Sequence, residues 1–301
     1  HWWRFFKKIN ADSLLVINGG FPGGLVCRAS GIGWYLAKRK KSDLSVHNFR
    51  EEIPFYRLPF EYLFDLMTSL TSKNIIAVSK SAKESLDTNP IFKLSKANTS
   101  YIYNGSDDPY NNENKFYGDF NSRDGMIMLA AYEERKGHKD LINAVCINKK
   151  KGIELKINCY GFIHEEYHSK LNQLISELGL SKNIILNSFT NDIDGIFSST
   201  KALIVPSISM ESFGLVATEA FLRNVPVIAY KTGGLVEVVS EDVGIKVDTG
   251  DVENLANAIS KLDSNKNYWD NLSGNCREYA LKNFSKESMV KKYESILEIN
   301  K

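Results

Sequence analysis

No apolar run in these 301 residues approaches the ~20 residues that a helix needs to cross a bilayer. Cysteine is scarce: Cys27, Cys146, Cys159 and Cys276 lie far apart and make no C-x-x-C pair, which leaves reduced cytosolic thiols as the reading. Net charge is close to balanced, at +2, so no nucleic-acid partner is expected. No short fixed repeat and no secretory leader pattern can be seen. What is present is ordinary for a globular protein: 43% hydrophobic and 25% charged residues, at a length that favours two domains over one. Charge is distributed unevenly. Residues 1–110 hold 15 Lys/Arg against 10 Asp/Glu, whereas the remainder holds 23 against 26. The first part is therefore basic and the second mildly acidic.

Short runs rich in Val and Ile alternate with helical patterns. Strands are expected over 12–17, 44–47, 74–78 and 99–103. A polar stretch over 104–124 then reads as a linker, and six more strands follow over 126–131, 153–160, 183–186, 202–205, 225–229 and 244–247. Continuous apolar strands between amphipathic helices indicate parallel sheets covered on both faces. The expected division is a first domain over 1–110, a second over 111–284, and a separate amphipathic helix over 285–301, carrying Met289, Tyr293, Ile296 and Leu297 at helical spacing. The chain opens at His1 in mid-pattern and its first domain shows only about four strands, so an N-terminal segment is expected to precede it.

The densest chemical signal follows the strand over 202–205. Gly214 permits close approach of a ligand to the backbone, and the amides of Phe213, Gly214, Leu215 and Val216 open a helix whose dipole favours a diphosphate. Glu211 stands ahead of that helix. Glu219 sits in its second turn among apolar neighbours, where a carboxylate needs either protein partners or ligand hydroxyls. Arg135 and Lys136 follow the strand over 126–131, again at a strand's carboxyl end, where cations neutralise a leaving diphosphate. His47 ends the strand over 44–47.

The run Glu211-Ser212-Phe213-Gly214-Leu215-x3-Glu219, then Val225-Pro226-Val227-Ile228-Ala229 and Thr232-Gly233-Gly234-x2-Glu237, resembles the signature of the retaining family 4 glycosyltransferases, within the glycosyl transferases of group 1. Lys136-Gly137-His138, Tyr103-Asn104-Gly105 and Val78-Ser79-Lys80-Ser81 are also similar to that family, and their order is the same. The resemblance implies the α/β GT-B fold, two Rossmann-like domains facing a cleft, here with the N-terminal, acceptor-side domain incomplete. It implies that the absent part holds the opening strand and a glycine-rich loop facing the donor phosphates. It also implies that Glu211 meets hydroxyls of the donor sugar, Glu219 the nucleotide ribose, and the Ser212–Leu215 backbone the sugar and phosphates. His47 falls where the family carries a histidine near the transferred sugar, and Asn18 falls where another is frequent. The implied activity moves a hexose-type sugar from a nucleotide diphosphate sugar to a glycan or lipid-linked acceptor, with retention and without a metal or cofactor. Surface polysaccharide synthesis is the implied setting, in the cytoplasm or on the inner face of the membrane. One departure stands out: Ala130 and Ala131 occupy the place where the family usually has an Arg. The alternative is a non-catalytic partner subunit or scaffold of the same fold.

Asp192-Ile193-Asp194 reads as helix capping rather than a metal motif. Gly31-Ile32-Gly33 lacks the third glycine of a dinucleotide fingerprint. The stretch 19–24, Gly-Gly-Phe-Pro-Gly-Gly, is expected to be a flexible loop. Three segments are expected to bring the first domain onto an anionic membrane surface: the aromatic and cationic run 1–8, the cluster Lys38-Arg39-Lys40-Lys41, and the apolar stretch 53–60.

Overall fold

The computed structural model describes residues 1–51, 53–110, 119–209 and 211–297. The middle of the expected linker and the end of the expected C-terminal helix lie outside the described residues, as does Met210. The chain divides into two compact units, His1–Gly105 with Glu287–Lys301, and Ser106–Lys286. Residues just after Gly105 join the second unit because they are bonded to it. Ser106 N donates to Phe284 O at 2.9 Å, and Asp108 holds Arg277 through two contacts of 2.8 Å.

In the first unit, α1 (Trp2–Phe6) precedes β1 (Leu15–Asn18), α2 (Leu25–Leu36), β2 (Ser42–Val46), α3 (Leu58–Thr71), β3 (Ser72–Ala77), α4 (Lys80–Asp87), α5 (Pro90–Ser95) and β4 (Thr99–Tyr101). The strands form a parallel sheet in the order β1-β2-β3-β4. The glycines Gly31 and Gly33 lie inside α2 and have a packing role. A Cβ on Gly31 would approach Ser42 Oγ to 2.9 Å, and one on Gly33 would collide with Trp2. Between α2 and α3 a charged network is buried. Arg28 pairs with Glu61 and, at 2.8 Å, with Asp65, while Asn89 donates to the other Asp65 oxygen at 2.8 Å. Burial pushes the Asp65 carboxyl above its ordinary range, against the opposing pull of Asn89 and Arg28.

The stretch 19–24, a loop as expected, is bonded to its surroundings at several points. Buried Asn18 clamps it from within, accepting from Gly24 N at 3.0 Å and donating to Pro22 O at 3.3 Å. Phe21 is fully buried, and its carbonyl accepts from Glu51 N. The basic cluster is also divided. Arg39 is half-buried and donates to the carbonyls of Phe6, Ile9 and Ala11, whereas Lys38, Lys40 and Lys41 are exposed. Phe6 packs in a small core with Trp34 and Trp2, so only part of the N-terminal aromatic run faces solvent.

The second unit contains β5 (Met126–Leu129), α6 (His138–Lys150), β6 (Ile157–Gly161), α7 (Glu165–Glu177), β7 (Ile184–Ser188), α8 (Ile193–Ser198), β8 (Ala202–Val205), α9 (Leu215–Leu222), β9 (Val227–Tyr230), α10 (Leu235–Val238), β10 (Gly244–Val247), α11 (Val252–Ser264) and α12 (Lys266–Phe284). The last helix, α13 (Lys286–Leu297), follows directly. All strands are parallel, in the order β10-β9-β8-β5-β6-β7. Their continuous apolar sequence has a plain cause. Met126, Met128, Ala202, Ile204, Ile228 and Tyr230 face the core shared with α6, α7 and α11. Their neighbours Ile127, Leu203, Val205, Val227 and Ala229 point the other way and are buried as well. Each such aliphatic side chain contributes roughly 1.5–3 kcal/mol when fully covered.

At the start of α6, His138 is buried against Tyr132, with ring centroids 4.9 Å apart. Burial lowers its pKa from 6.5 to about 4, assisted by the nearby charge of Lys136. In the unfolded chain the imidazole takes up its proton first, so stability falls as pH drops below 6.5 and levels off below about 4. The contribution is about 3 kcal/mol across that window. Urea unfolding of the parent and of His138→Phe between pH 7 and pH 4 checks this. The variant is expected to lose the corresponding part of the pH slope.

Candidate functional site

The strand order of the second unit reverses between β5 and β8. From β5 the chain steps outward to β6 and β7, then returns to place β8 on the opposite side of β5 and continues to β9 and β10. Outside the carboxyl ends of two strands so arranged, the following loops part in opposite directions and leave a crevice suited to a ligand. The loop after β5 carries Arg135 and Lys136, and the loop after β8 carries Glu211.

These two loops are stitched together by backbone. Ile208 N donates to Arg135 O at 2.9 Å. Gly137 takes a left-handed conformation, φ 80°, and a side chain there would collide with the carbonyl of Pro206. A 3₁₀ turn over Glu134–Lys136 then aims Lys136 across the crevice, where its Nζ meets Glu211 Oε2 at 2.8 Å. Both side chains are about five-sixths covered, at 17% and 16% exposure. Ser207 Oγ lies 3.4 Å from the same Glu211 oxygen. Arg135 goes elsewhere: its Nε pairs with Glu133 at 2.6 Å on a more open surface. The structure thus brings Lys136 and Glu211 together and leaves the Arg135 guanidinium outside that pair.

The Thr232-Gly233-Gly234 motif supports the Glu211 loop from below. Gly234 N donates to Glu211 O at 2.8 Å, and Thr232 Oγ1 donates to Ser207 O at 2.7 Å. A Cβ on Gly234 would lie 2.5 Å from Ser212 O and 2.6 Å from the Phe213 Cα, so only glycine lets the two loops approach. Phe213 turns its side chain into the core, edge-on to Phe284 at 5.6 Å, which leaves its backbone as the part able to meet a ligand. Gly214, at φ 102°, makes the turn into α9; its carbonyl accepts from Ala217 N at 2.9 Å, and the amides of Leu215 and Val216 open the first turn of the helix.

Glu219, one turn into α9, faces a cavity of about 340 Å³. Leu129, Ala130 and Ala131 line it at the end of β5, with Phe162, Phe189 and Val216. Burial raises the Glu219 pKa, opposed by the charge of Arg223. Two features of this cavity escape a reading of the motifs. Ala130 and Ala131 are part of its lining, so small side chains there leave space. Phe162 and Phe189 stack face to face at 4.5 Å and 7° although both are exposed. The available signal was positional, since each aromatic is the first residue beyond a parallel strand, β6 and β7. Asp192 and Asp194 take structural roles. The first caps α8 by accepting from Gly195 N at 3.0 Å, and the second accepts from Arg223 Nε at 2.8 Å.

His47 belongs to the first unit, one residue beyond β2. Its backbone N donates to Asn18 O at 2.9 Å, and its Nε2 lies 3.1 Å from Ser45 Oγ. Burial lowers its pKa, which favours the neutral ring.

The sequence is 28% identical to an uncharacterised 41.2 kDa protein in the cps region of Klebsiella pneumoniae, over 57% of this chain and 45% of that protein. It is 24% identical to the capsular polysaccharide biosynthesis glycosyltransferase CapM of Staphylococcus aureus, over 97% of this chain and 79% of that one. Against several curated relatives the chain spans less than two thirds of their length. Among solved structures, Anabaena HepE in complex with UDP superposes with a TM-score of 0.78 at 19% identity, over 99% of this chain and 80% of that one. That likeness shows the fold, which is GT-B. The sequence pattern described as glycosyl transferases group 1 matches residues 111–283, the stretch that carries both stitched loops and the cavity, and the chain belongs to that family.

Proposed function

We propose that this chain transfers a hexose from a nucleoside diphosphate sugar to a hydroxyl of a glycan or lipid-linked acceptor, with retention, in the assembly of a surface polysaccharide. The observation that carries this reading is the Lys136–Glu211 pair at 2.8 Å in the switch-point crevice, beside the amides that open α9. A cation, a carboxylate and a helix start are what a sugar diphosphate needs: charge neutralisation, an acceptor for sugar hydroxyls, and amide donors. The UDP held by HepE and the capsular role in the name of CapM support the donor class and the setting.

In this reading the donor diphosphate takes Lys136, which frees Glu211 to accept from sugar hydroxyls. Glu219 accepts from the ribose hydroxyls, which compensates the burial that raises its pKa. The acceptor oxygen bonds to the anomeric carbon as the bond to the phosphate oxygen breaks. The bonding pair leaves with the diphosphate, and the acceptor proton passes to that departing oxygen. His47 contacts the sugar as a neutral hydrogen-bonding group rather than as a nucleophile. The chemistry asks no metal of these residues, because Lys136 and the amides carry the diphosphate charge.

Exposed residues of the first unit support docking on anionic lipid. Lys38, Lys40 and Lys41 are exposed, and Phe55 and Tyr56 stand out at 88% and 80% exposure. Among the described residues no helix is long and apolar enough to cross a membrane.

Two outcomes are expected. Glu211→Ala lowers nucleoside diphosphate release from a panel of nucleotide sugars by about 100-fold or more with Tm unchanged, and Lys136→Ala costs more than Arg135→Ala. Parent-like turnover of Glu211→Ala would sink the donor-site reading. In sedimentation with liposomes, binding exceeds that to neutral vesicles when anionic lipid is present, and charge reversal at Lys38, Lys40 and Lys41 removes the difference. Equal binding to both vesicle types ends the electrostatic docking reading.

A further inference from the structure

We propose that Tyr293 of α13, acting through Ser45, is a positioning residue that fixes the orientation and tautomer of the His47 imidazole. This rests on the active-site reading of His47. Along β2 side chains alternate, so Ser45 and His47 share one face. The strand lies between β1 and β3, and Ser45 is buried. A hydroxyl in that position needs partners, and it has two: His47 Nε2 at 3.1 Å and the Tyr293 hydroxyl at 2.8 Å.

The chemistry of that chain is restrictive. Serine has a single proton to donate. If Ser45 donates to His47 Nε2, it accepts from Tyr293. If it accepts from an Nε2–H, it donates to Tyr293 instead. The phenol is the more acidic hydroxyl and the stronger donor, so the first arrangement holds: Tyr293 donates to Ser45, Ser45 donates to His47 Nε2, and the ring proton sits on Nδ1. The identity of the proton-bearing ring nitrogen decides whether Nε2 is a donor or an acceptor, and hence what the other nitrogen offers a ligand. Tyr293 remains a phenol throughout, since burial raises its pKa.

The placement of α13 argues against incidental packing. None of the residues described in this helix is fully buried, yet the Tyr293 hydroxyl reaches a central strand. Two further contacts set the helix against the first unit. Gly105 N donates to Met289 Sδ at 3.1 Å, and Lys292 Nζ lies 5.9 Å from the Tyr103 ring. Met289, Lys292 and Tyr293 are at i, i+3 and i+4, one face of the helix.

Long-range ¹H–¹⁵N spectra of the full chain labelled with ¹⁵N-histidine read the tautomers of its five imidazoles, with His47→Gln assigning the His47 pair. In Tyr293→Phe and in Ser45→Ala, the two His47 nitrogen shifts are expected to move toward a common averaged value while the other histidines stay in place. Release of UDP from UDP-glucose is expected to fall about tenfold in kcat in each variant, with KM unchanged, and no further in the double variant. Unchanged His47 shifts in both single variants overturn the proposal, as does an additive loss in the double variant. His47→Gln separates the two readings. Parent-like turnover there defeats the active-site reading of His47, whereas a loss there with none in Tyr293→Phe defeats the positioning alone.

Discussion

Both sheets are parallel throughout, and that constraint organises the rest of the molecule. Parallel neighbours cannot be joined by tight hairpins, so the chain must cross over a sheet face between successive strands. Every crossover returns the chain to the same edge, so each loop that follows a strand emerges at the carboxyl ends. In the second unit the order of strands then decides which loops meet. β5 and β8 are neighbours although 72 residues lie between Leu129 and Ala202, and their loops carry Lys136 and Glu211.

A cation and a carboxylate so covered hold each other in place at modest net gain, because the cost of removing them from water offsets much of their attraction. Their value is in readiness. The surrounding backbone has absorbed the ordering cost through Gly137 against Pro206, Gly234 against Ser212, and the bond from Ile208 to Arg135. A ligand entering there exchanges one set of charged partners for another and does not have to assemble the site.

The first unit answers the same need for fixed loops with different chemistry. The Asn18 side chain supplies two hydrogen bonds to the backbone of the stretch 19–24, and the buried Arg28, Glu61 and Asp65 tie α2 to α3. Such a network is costly if any member is lost, since each remaining charge would be buried without a partner. Its directional bonds also confine the packing of two otherwise apolar helices.

The order of elements, the parallel character of both sheets, the loops that bear Lys136 and Glu211 and the helix that bears Glu219 were legible from sequence. Burial on both faces writes itself as unbroken apolar runs, and ligand loops retain polar residues and glycines at fixed distances from them. Side-chain direction was not legible. Arg135 and Lys136 are adjacent cations, yet one meets Glu133 and the other Glu211, because a 3₁₀ turn points neighbours apart. Arg39 looks like its three lysine neighbours, yet carbonyls from Phe6 to Ala11 claim it. Glycines in the stretch 19–24 gave no sign of the bonds from Asn18 or of the burial of Phe21. Local sequence sets what each backbone segment can adopt. Which partner a charged or hydroxyl group finds depends on atoms brought near by crossovers from far along the chain, as Tyr293 is brought to Ser45 across 248 positions.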